Sequence, residues 1–376
     1  MENAMHKDRQ GIVFFKKVSL FFVTVVLVLF LPLYTLTKVI GKLFNPNFLS
    51  LSTYQPKNYI FDYVVYHWLG EKDKAQSNRV FVFFLFPALS AFILFVFTPF
   101  VHGIYLSMTD WDGLNTGREN FVGLANYQSI FSDVKFIFSF YRTILYSVLN
   151  IVVINLVAFL MALLVTQNLK LKNIYRAGFF MPNLIGGLVL GYIWQFIFNR
   201  AIVSFGGAFA TSLLTNGSTA LFALIAVVTW QYAGYIMMIY IAAIQNIPQD
   251  LVEASTIDGA NAFQRLKTIT LPLVAQAFTV AMFLTLVTSF KQFDTVVSLT
   301  QGGPATLMPQ WFANILGIDS NVAVQSTSLV AMNIYNTAFS NYDLGLGQSK
   351  AIVFFVFLLL ISLLQVYFNK RKEIEL

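Results

Sequence analysis

The chain contains no cysteine, which excludes disulfide bridges, thiolate metal sites and cysteine nucleophiles. Its three histidines, His6, His67 and His102, lie far apart in sequence and form neither a metal-binding spacing nor part of a catalytic triad. No G-x-x-x-x-G-K-[ST] run occurs, so the usual loop that cradles nucleotide phosphates is missing. Charge is also scarce, at 11% of residues, where soluble domains carry about 25%. Between Val297 and Asp343 there is no lysine or arginine at all. No small-residue cleavage site follows the first apolar run, so no cleavable signal peptide is read.

Apolar residues take the place of these groups. They make up 57% of the 376 residues, and 40 of them are phenylalanine. A membrane span needs about 20 mostly apolar residues, and six runs qualify: Val80–Met108, Thr143–Thr166, Ile174–Phe198, Ala220–Ala243, Leu273–Phe293 and Gln348–Phe368. A seventh run, Val18–Ile40, is broken by Pro32. The expected fold is therefore an all-α polytopic membrane protein, with a six-span domain over residues 80–376 and an N-terminal membrane-associated extension over 1–79.

The net charge of +7 sits at span ends and reads as membrane orientation, with no nucleic acid implied. Lys170, Lys172 and Arg176, then Arg265 and Lys267, then Lys370, Arg371 and Lys372 mark cytoplasmic segments. The loop 248–272 is then cytoplasmic, and the loop 297–345 external. The N-terminus leaves alternatives open, because basic residues flank Val18–Ile40 on both sides. A single crossing puts one basic segment outside. A re-entrant or surface-lying helix bent at Pro32 keeps both inside, as does a second crossing near Tyr59–Leu69. That second run is short and holds Asp62 and His67, so it reads first as an interfacial amphipathic helix.

The polar island from Glu253 to Pro272 separates two apolar runs. Pro248 ends the preceding span. Asp250, three residues before Glu253, has the spacing of a capping box for a short helix. Gly259 suits the left-handed turn that stops it. A second helix, about Ala262–Thr270, places Phe263, Leu266 and Ile269 on one apolar stripe, and Leu271-Pro272 closes the loop.

This pattern, E-A-S-x-x-D-G-A-x-x-x-x-x-L-x-x-I-x-L-P, resembles the EAA loop of ABC-importer permease subunits. The resemblance implies a six-helix type I importer core whose loop docks a coupling helix onto an ATPase. Glu253, Ala254, Asp258, Gly259 and Pro272 match the marked positions. Ser255 stands where a second alanine is usual, and Leu266 where phenylalanine is common; small and apolar character are kept. Leu299-Thr-Gln-Gly-Gly-Pro304 resembles the corresponding turn of carbohydrate-importer permeases. Met108–Gly113, Phe121–Tyr127 and Ala338–Gly345 are similar to segments of the maltose-permease-like subunit. The resemblance covers about Val80–Leu376, and the stretch 308–328 reads as an insertion in the external loop.

The family further implies a second permease chain, an ABC ATPase dimer holding ATP and magnesium, an extracellular solute-binding protein and a carbohydrate substrate. No cofactor is expected on this chain, and no enzymatic activity. A self-contained secondary sugar transporter or channel is the alternative; it needs an intramembrane ion relay, and the core spans lack a suitable carboxylate.

Substrate contacts are sought among polar residues inside spans, which face a cavity or another helix because lipid penalises them. Thr285, Thr288, Ser289 and Gln292 follow an i, i+3, i+4, i+7 pattern and share one face. Two roles fit them: hydrogen bonding to sugar hydroxyls, or joining helices. Gln231, Tyr232 and Tyr235 offer stacking and amide contacts to a sugar, or form an interfacial aromatic belt. Lys291 and Asp294 read as a snorkelling or paired set, Gly187 and Gly191 as a close helix contact, and Ala331–Phe339 as a short external helix.

Overall fold

The computed structural model describes residues 85–114, 119–167, 169–207 and 210–370. The expected Val18–Ile40 and Tyr59–Leu69 segments lie outside these residues. The chain divides into two units, residues 1–102 and 103–376. Of the first unit, the structure describes part of the helix α1, Leu85–Leu106.

The second unit is built from helices with one small hairpin. After the short helix α2, Ala125–Ile130, comes α3, Val134–Val165, whose N-terminus is capped by the Asp133 carboxylate accepting from the Phe136 amide. The amphipathic helix α4, Lys172–Phe180, follows. A proline-bearing turn at Met181–Leu184 separates it from α5, Gly187–Phe205. The expected single span 174–198 is thus two elements, and the apolar crossing is displaced towards residue 205. Pro182 is the cause, because it lacks the amide needed to continue α4 into α5.

The helix α6, Gly217–Gln245, is capped by Asn216. At 29 residues it is about 43 Å long, longer than the roughly 30 Å hydrocarbon layer. The loop helices are α7, Gln249–Ile257, and α8, Ala262–Leu273. A bend of 69° at Val274 leads into α9, Ala275–Phe290. A break at 291–293 precedes α10, Asp294–Thr300. Strands β1, Ala305–Leu307, and β2, Ala323–Gln325, pair antiparallel with Thr306 opposite Val324. They enclose α11, Gln310–Leu316. Then come α12, Val330–Tyr335, prolonged by a widened turn to Ser340, and α13, Leu344–Phe368. Among the described residues, five helices are long and apolar enough to cross a membrane, and the bent pair α8 and α9, taken as one span, makes six.

The core lies between α3 and α6, where Tyr146, Ile154, Ala158, Leu224, Ile236 and Tyr240 are buried together. Gly187 and Gly191 bring α5 against Asp294, Thr295 and Ser298 of α10, the close contact that their spacing predicts. The hairpin and α11 form a cap over the start of α3, with Phe138, Met308, Phe312 and Val324 buried in one cluster. Arg142 of α3 donates to the Ser326 carbonyl at 2.6 Å and to the Gly217 carbonyl at 3.2 Å. This guanidinium ties the cap to the first turn of α6. The cap and the loop helices α7 and α8 therefore lie at opposite ends of α6, as the charge pattern requires of an external and a cytoplasmic loop.

Candidate functional site

Two regions carry the residues singled out by the sequence: a cavity inside the helical bundle and the α7–α8 loop at its end.

The cavity, about 270 Å³, is lined by Gly187 of α5, Gln231 and Tyr232 of α6, Thr288 of α9, the break Lys291-Gln292-Phe293, and Asp294 and Thr295 of α10. An interrupted helix at membrane depth frees backbone groups that need a polar surrounding, and such breaks commonly line ligand sites. Gln231 donates through Nε2 to the Ile185 carbonyl at 2.9 Å, which fixes its amide. Its Oε1 is buried and has no partner among the described residues, and the same holds for Thr295 Oγ1. Buried polar atoms are almost always paired, so two orphans lining one polar cavity fit a site that a hydrogen-bonding solute completes.

The four-residue face of α9 divides in two. Thr288 and Gln292 line the cavity, whereas Thr285 and Ser289 turn towards α3. There Asn155 Nδ2 donates to Thr285 Oγ1 at 2.9 Å, and Asn150 Nδ2 donates to Ser289 Oγ at 2.8 Å. Tyr240 extends the network by donating to Asn155 Oδ1 at 2.7 Å. Thr285 and Ser289 thus join helices, the second of the two roles open to them. The physical reason is that positions three apart on a helix differ by about 60° around its axis. One stripe can therefore give one edge to a neighbouring helix and the other to a cavity. Tyr235, one turn beyond Gln231 and 36% exposed, lies outside the lining.

Thr295 was not among the sequence candidates. The i+3 step from Gln292 reaches it, but the break at 291–293 interrupts the periodicity that would have extended the stripe. Lys291 and Asp294 both line the cavity and form no ion pair with each other among the described residues.

At the other region, α7 begins at Gln249 after Pro248 and places Asp250 in its first turn. The expected capping box at Asp250 and Glu253 is absent, because Pro248 already starts the helix ahead of Asp250. The capping box forms instead one helix later, where Asn261 Oδ1 accepts from the Gln264 amide and Gln264 Oε1 accepts from the Asn261 amide. Gly259 ends α7 with φ +79°, the left-handed conformation expected of it. Its amide donates to the Thr256 carbonyl, and that of Ala260 to the Ser255 carbonyl. Ser255 Oγ donates to the Val252 carbonyl. Glu253, Ala254 and Asp258 are exposed. Arg265 bridges the two loop helices by donating to Thr256 Oγ1 at 2.9 Å.

Pro272 is the last residue but one of α8, and the chain bends two residues later, at Val274, so the loop closes within two residues of the expected Leu271-Pro272. The widened turn Leu266–Thr270 ahead of it accommodates the proline ring. Of the apolar stripe, Leu266 packs on the core, while Phe263 is 72% exposed beside Ile257 at 86%. Large apolar side chains displayed at a loop tip suit insertion into another protein's groove.

Comparison with known proteins gives a consistent result. The profile of the family described as "Binding-protein-dependent transport system inner membrane component" matches residues 154–374. The "Probable starch degradation products transport system permease protein" of Thermoanaerobacterium thermosulfurigenes is 39% identical over 313 residues, covering 82% of this chain and all of the relative. The "Multiple sugar-binding transport system permease protein" of Streptococcus mutans is 28% identical, over 77% of this chain and 95% of its own. A bacterial ABC transporter that imports the acidic polysaccharide alginate has a chain of the same fold, with TM-score 0.64 at 18% identity, covering 80% of this chain and 99% of that one.

Proposed function

The chain belongs to the binding-protein-dependent transport system inner membrane component family, as a permease subunit of an ABC importer, and we propose that it imports an oligosaccharide or glycoside through the cavity between α5, α6, α9 and α10. The observation that carries this reading is the pair of unpartnered buried atoms, Gln231 Oε1 and Thr295 Oγ1, in one polar cavity. An acceptor and a hydroxyl suit sugar hydroxyls, and Tyr232 supplies a ring for the apolar face of a pyranose. The starch- and sugar-transport names of the relatives support the same substrate class.

An external binding protein delivers the solute, and a second permease chain completes the pathway. ATP and magnesium are held by two ATPase chains, which act on this subunit through Glu253–Pro272. The exposed Ile257 and Phe263 enter the ATPase surface, and Gly259 holds α7 at the angle this docking needs. ATPase closure then moves α7 and α8, and the bend at Val274 passes the motion into α9, whose far end lines the cavity.

The test is Gly259→Asp in the full importer. A side chain at φ +79° is strained, and a charge enters the docking face. Transport and solute-stimulated ATPase activity are expected to be abolished while the protein still inserts. Full uptake by this variant would sink the coupling assignment.

A further inference from the structure

A second and larger polar cavity, about 470 Å³, lies beneath the cap at the external end of the bundle. Its walls come from the start of α3, the strands β1 and β2, α12 with its widened turn, and the first turns of α13. None of these residues belongs to the inner cavity. Five lining side chains, Lys135, Gln325, Ser328, Asn336 and Asn341, make no side-chain hydrogen bond or ion pair to the protein among the described residues. Ser328 is only 8% exposed, so its free hydroxyl has little access to anything but this cavity. The rest of the polar lining is committed. Lys350, 2% exposed, donates to Asp133 at 2.6 Å, Thr337 at 2.8 Å and Asn333 at 3.1 Å, and so serves as a satisfied floor.

The lining charges cancel: Asp133 and Asp343 face Lys135 and Lys350. The lining therefore carries no net formal charge, and the free groups are amides, a hydroxyl and the Lys135 ammonium, which together donate and accept. Phe138, Val324 and Leu346 add apolar wall. Neutral, amphipathic and rich in hydroxyls is the description of an uncharged saccharide, and the volume lies within the range of small-molecule sites, about 300–1,000 Å³. Position supports the same assignment. The helix α10 starts at the inner cavity with Asp294 and Thr295, and the chain reaches the outer cavity at Ala305. Its seven residues span about 10 Å, and the turn Gln301–Pro304 then carries the chain to the outer cavity.

We propose that the cavity under the cap is an external subsite that receives a neutral saccharide before it enters the inner cavity. The assignment rests on the sugar-importer reading above. Arg142 is its positioning residue, since its bonds to Ser326 and Gly217 hold the cap closed over the cavity.

The experiment is uptake by the complete importer in proteoliposomes, driven by ATP and its delivering protein, with radiolabelled maltotriose and, in parallel, trigalacturonate. Asn336→Leu and Ser328→Ala are near-isosteric and leave the Lys350 network intact. Each is expected to raise the half-saturating concentration of maltotriose-loaded delivering protein at least fivefold. Maximal rate, and the affinity of the empty delivering protein, should stay within twofold. Unchanged half-saturation in both variants, with wild-type maltotriose uptake intact, overturns the subsite and leaves the importer reading standing. Equal loss of affinity for the empty delivering protein overturns it too, because the cavity then contacts protein. Wild-type preference for trigalacturonate overturns the neutral-ligand assignment, and uptake of neither saccharide removes the sugar reading itself.

Discussion

A hydroxyl that is buried and unpaired costs folding stability, on the order of 1–3 kcal/mol for such a group, so Thr295 is informative as a single residue. Thr295→Val keeps the shape and removes only the orphan Oγ1. The variant is expected to be as stable as the wild type or about 1 kcal/mol more stable, yet to need roughly fivefold more substrate for half-maximal uptake, the cost of one lost hydrogen bond. Thermal unfolding and uptake measured on the same preparation check both halves; a variant that loses stability and keeps its affinity would assign Thr295 to packing. Lys350 makes the opposite case. Its ammonium is buried with Asp133 as partner, and removing one member of such a pair leaves a buried charge uncompensated. Lys350→Met should destabilise the protein by roughly 3 kcal/mol, read as a lower midpoint of unfolding in detergent. The pair also sets an acid limit. Burial works against the charge of Asp133, but the Lys350 ammonium and the Phe136 and Lys135 amides outweigh it and hold the carboxyl below the usual range. A carboxyl depressed on folding stabilises above its unfolded value of about 3.9 and loses that stabilisation as pH falls through its folded value. The pair's contribution is thus constant down to about pH 5 and declines below about pH 4, an acid step that Lys350→Met should lack.

At the scale of elements, the long periodic segments were legible and their interruptions were not. All six expected apolar runs have helical counterparts, because about 20 apolar residues in a row have few other stable states. The hinge at Gly259 was readable for the same local reason, since glycine at a helix end is a property of one residue. The break of the third run at Pro182 and the capping box at Asn261 have local causes, a proline and an N-x-x-Q spacing, which the apolar periodicity hides. The site was half legible. Gln231, Tyr232, Thr288 and Gln292 do converge on one cavity, but the sequence could not tell which edge of the α9 stripe α3 would occupy. The contact of α4 with α6 gives an element-scale prediction. A methyl at Gly234 would run into the Phe179 backbone carbonyl at the end of α4. Backbone cannot rotate away as a side chain can, so Gly234→Ala should cost about 2 kcal/mol and displace α4. Accelerated amide exchange confined to residues 172–180 is the expected signature, and unchanged exchange there would contradict the packing.

On the scale of the whole molecule, the external cap, the inner cavity and the coupling loop are arranged in order along one bundle. Arg142 fixes the outer end, the Asn150, Asn155 and Tyr240 network fixes the middle, and α7 and α8 project from the other end. This order suits the permease subunit of an ABC importer. It also leaves the large apolar side chains Ile257 and Phe263 uncovered at the loop tip, the kind of surface that suits a partner. The most direct measurement is affinity purification of this chain from its native membrane, followed by solute uptake by the purified material with and without ATP. Recovery of a second permease, an ATPase and an external binding protein, with uptake that requires ATP, is the predicted result. A chain that purifies alone and moves solute without ATP would contradict the account.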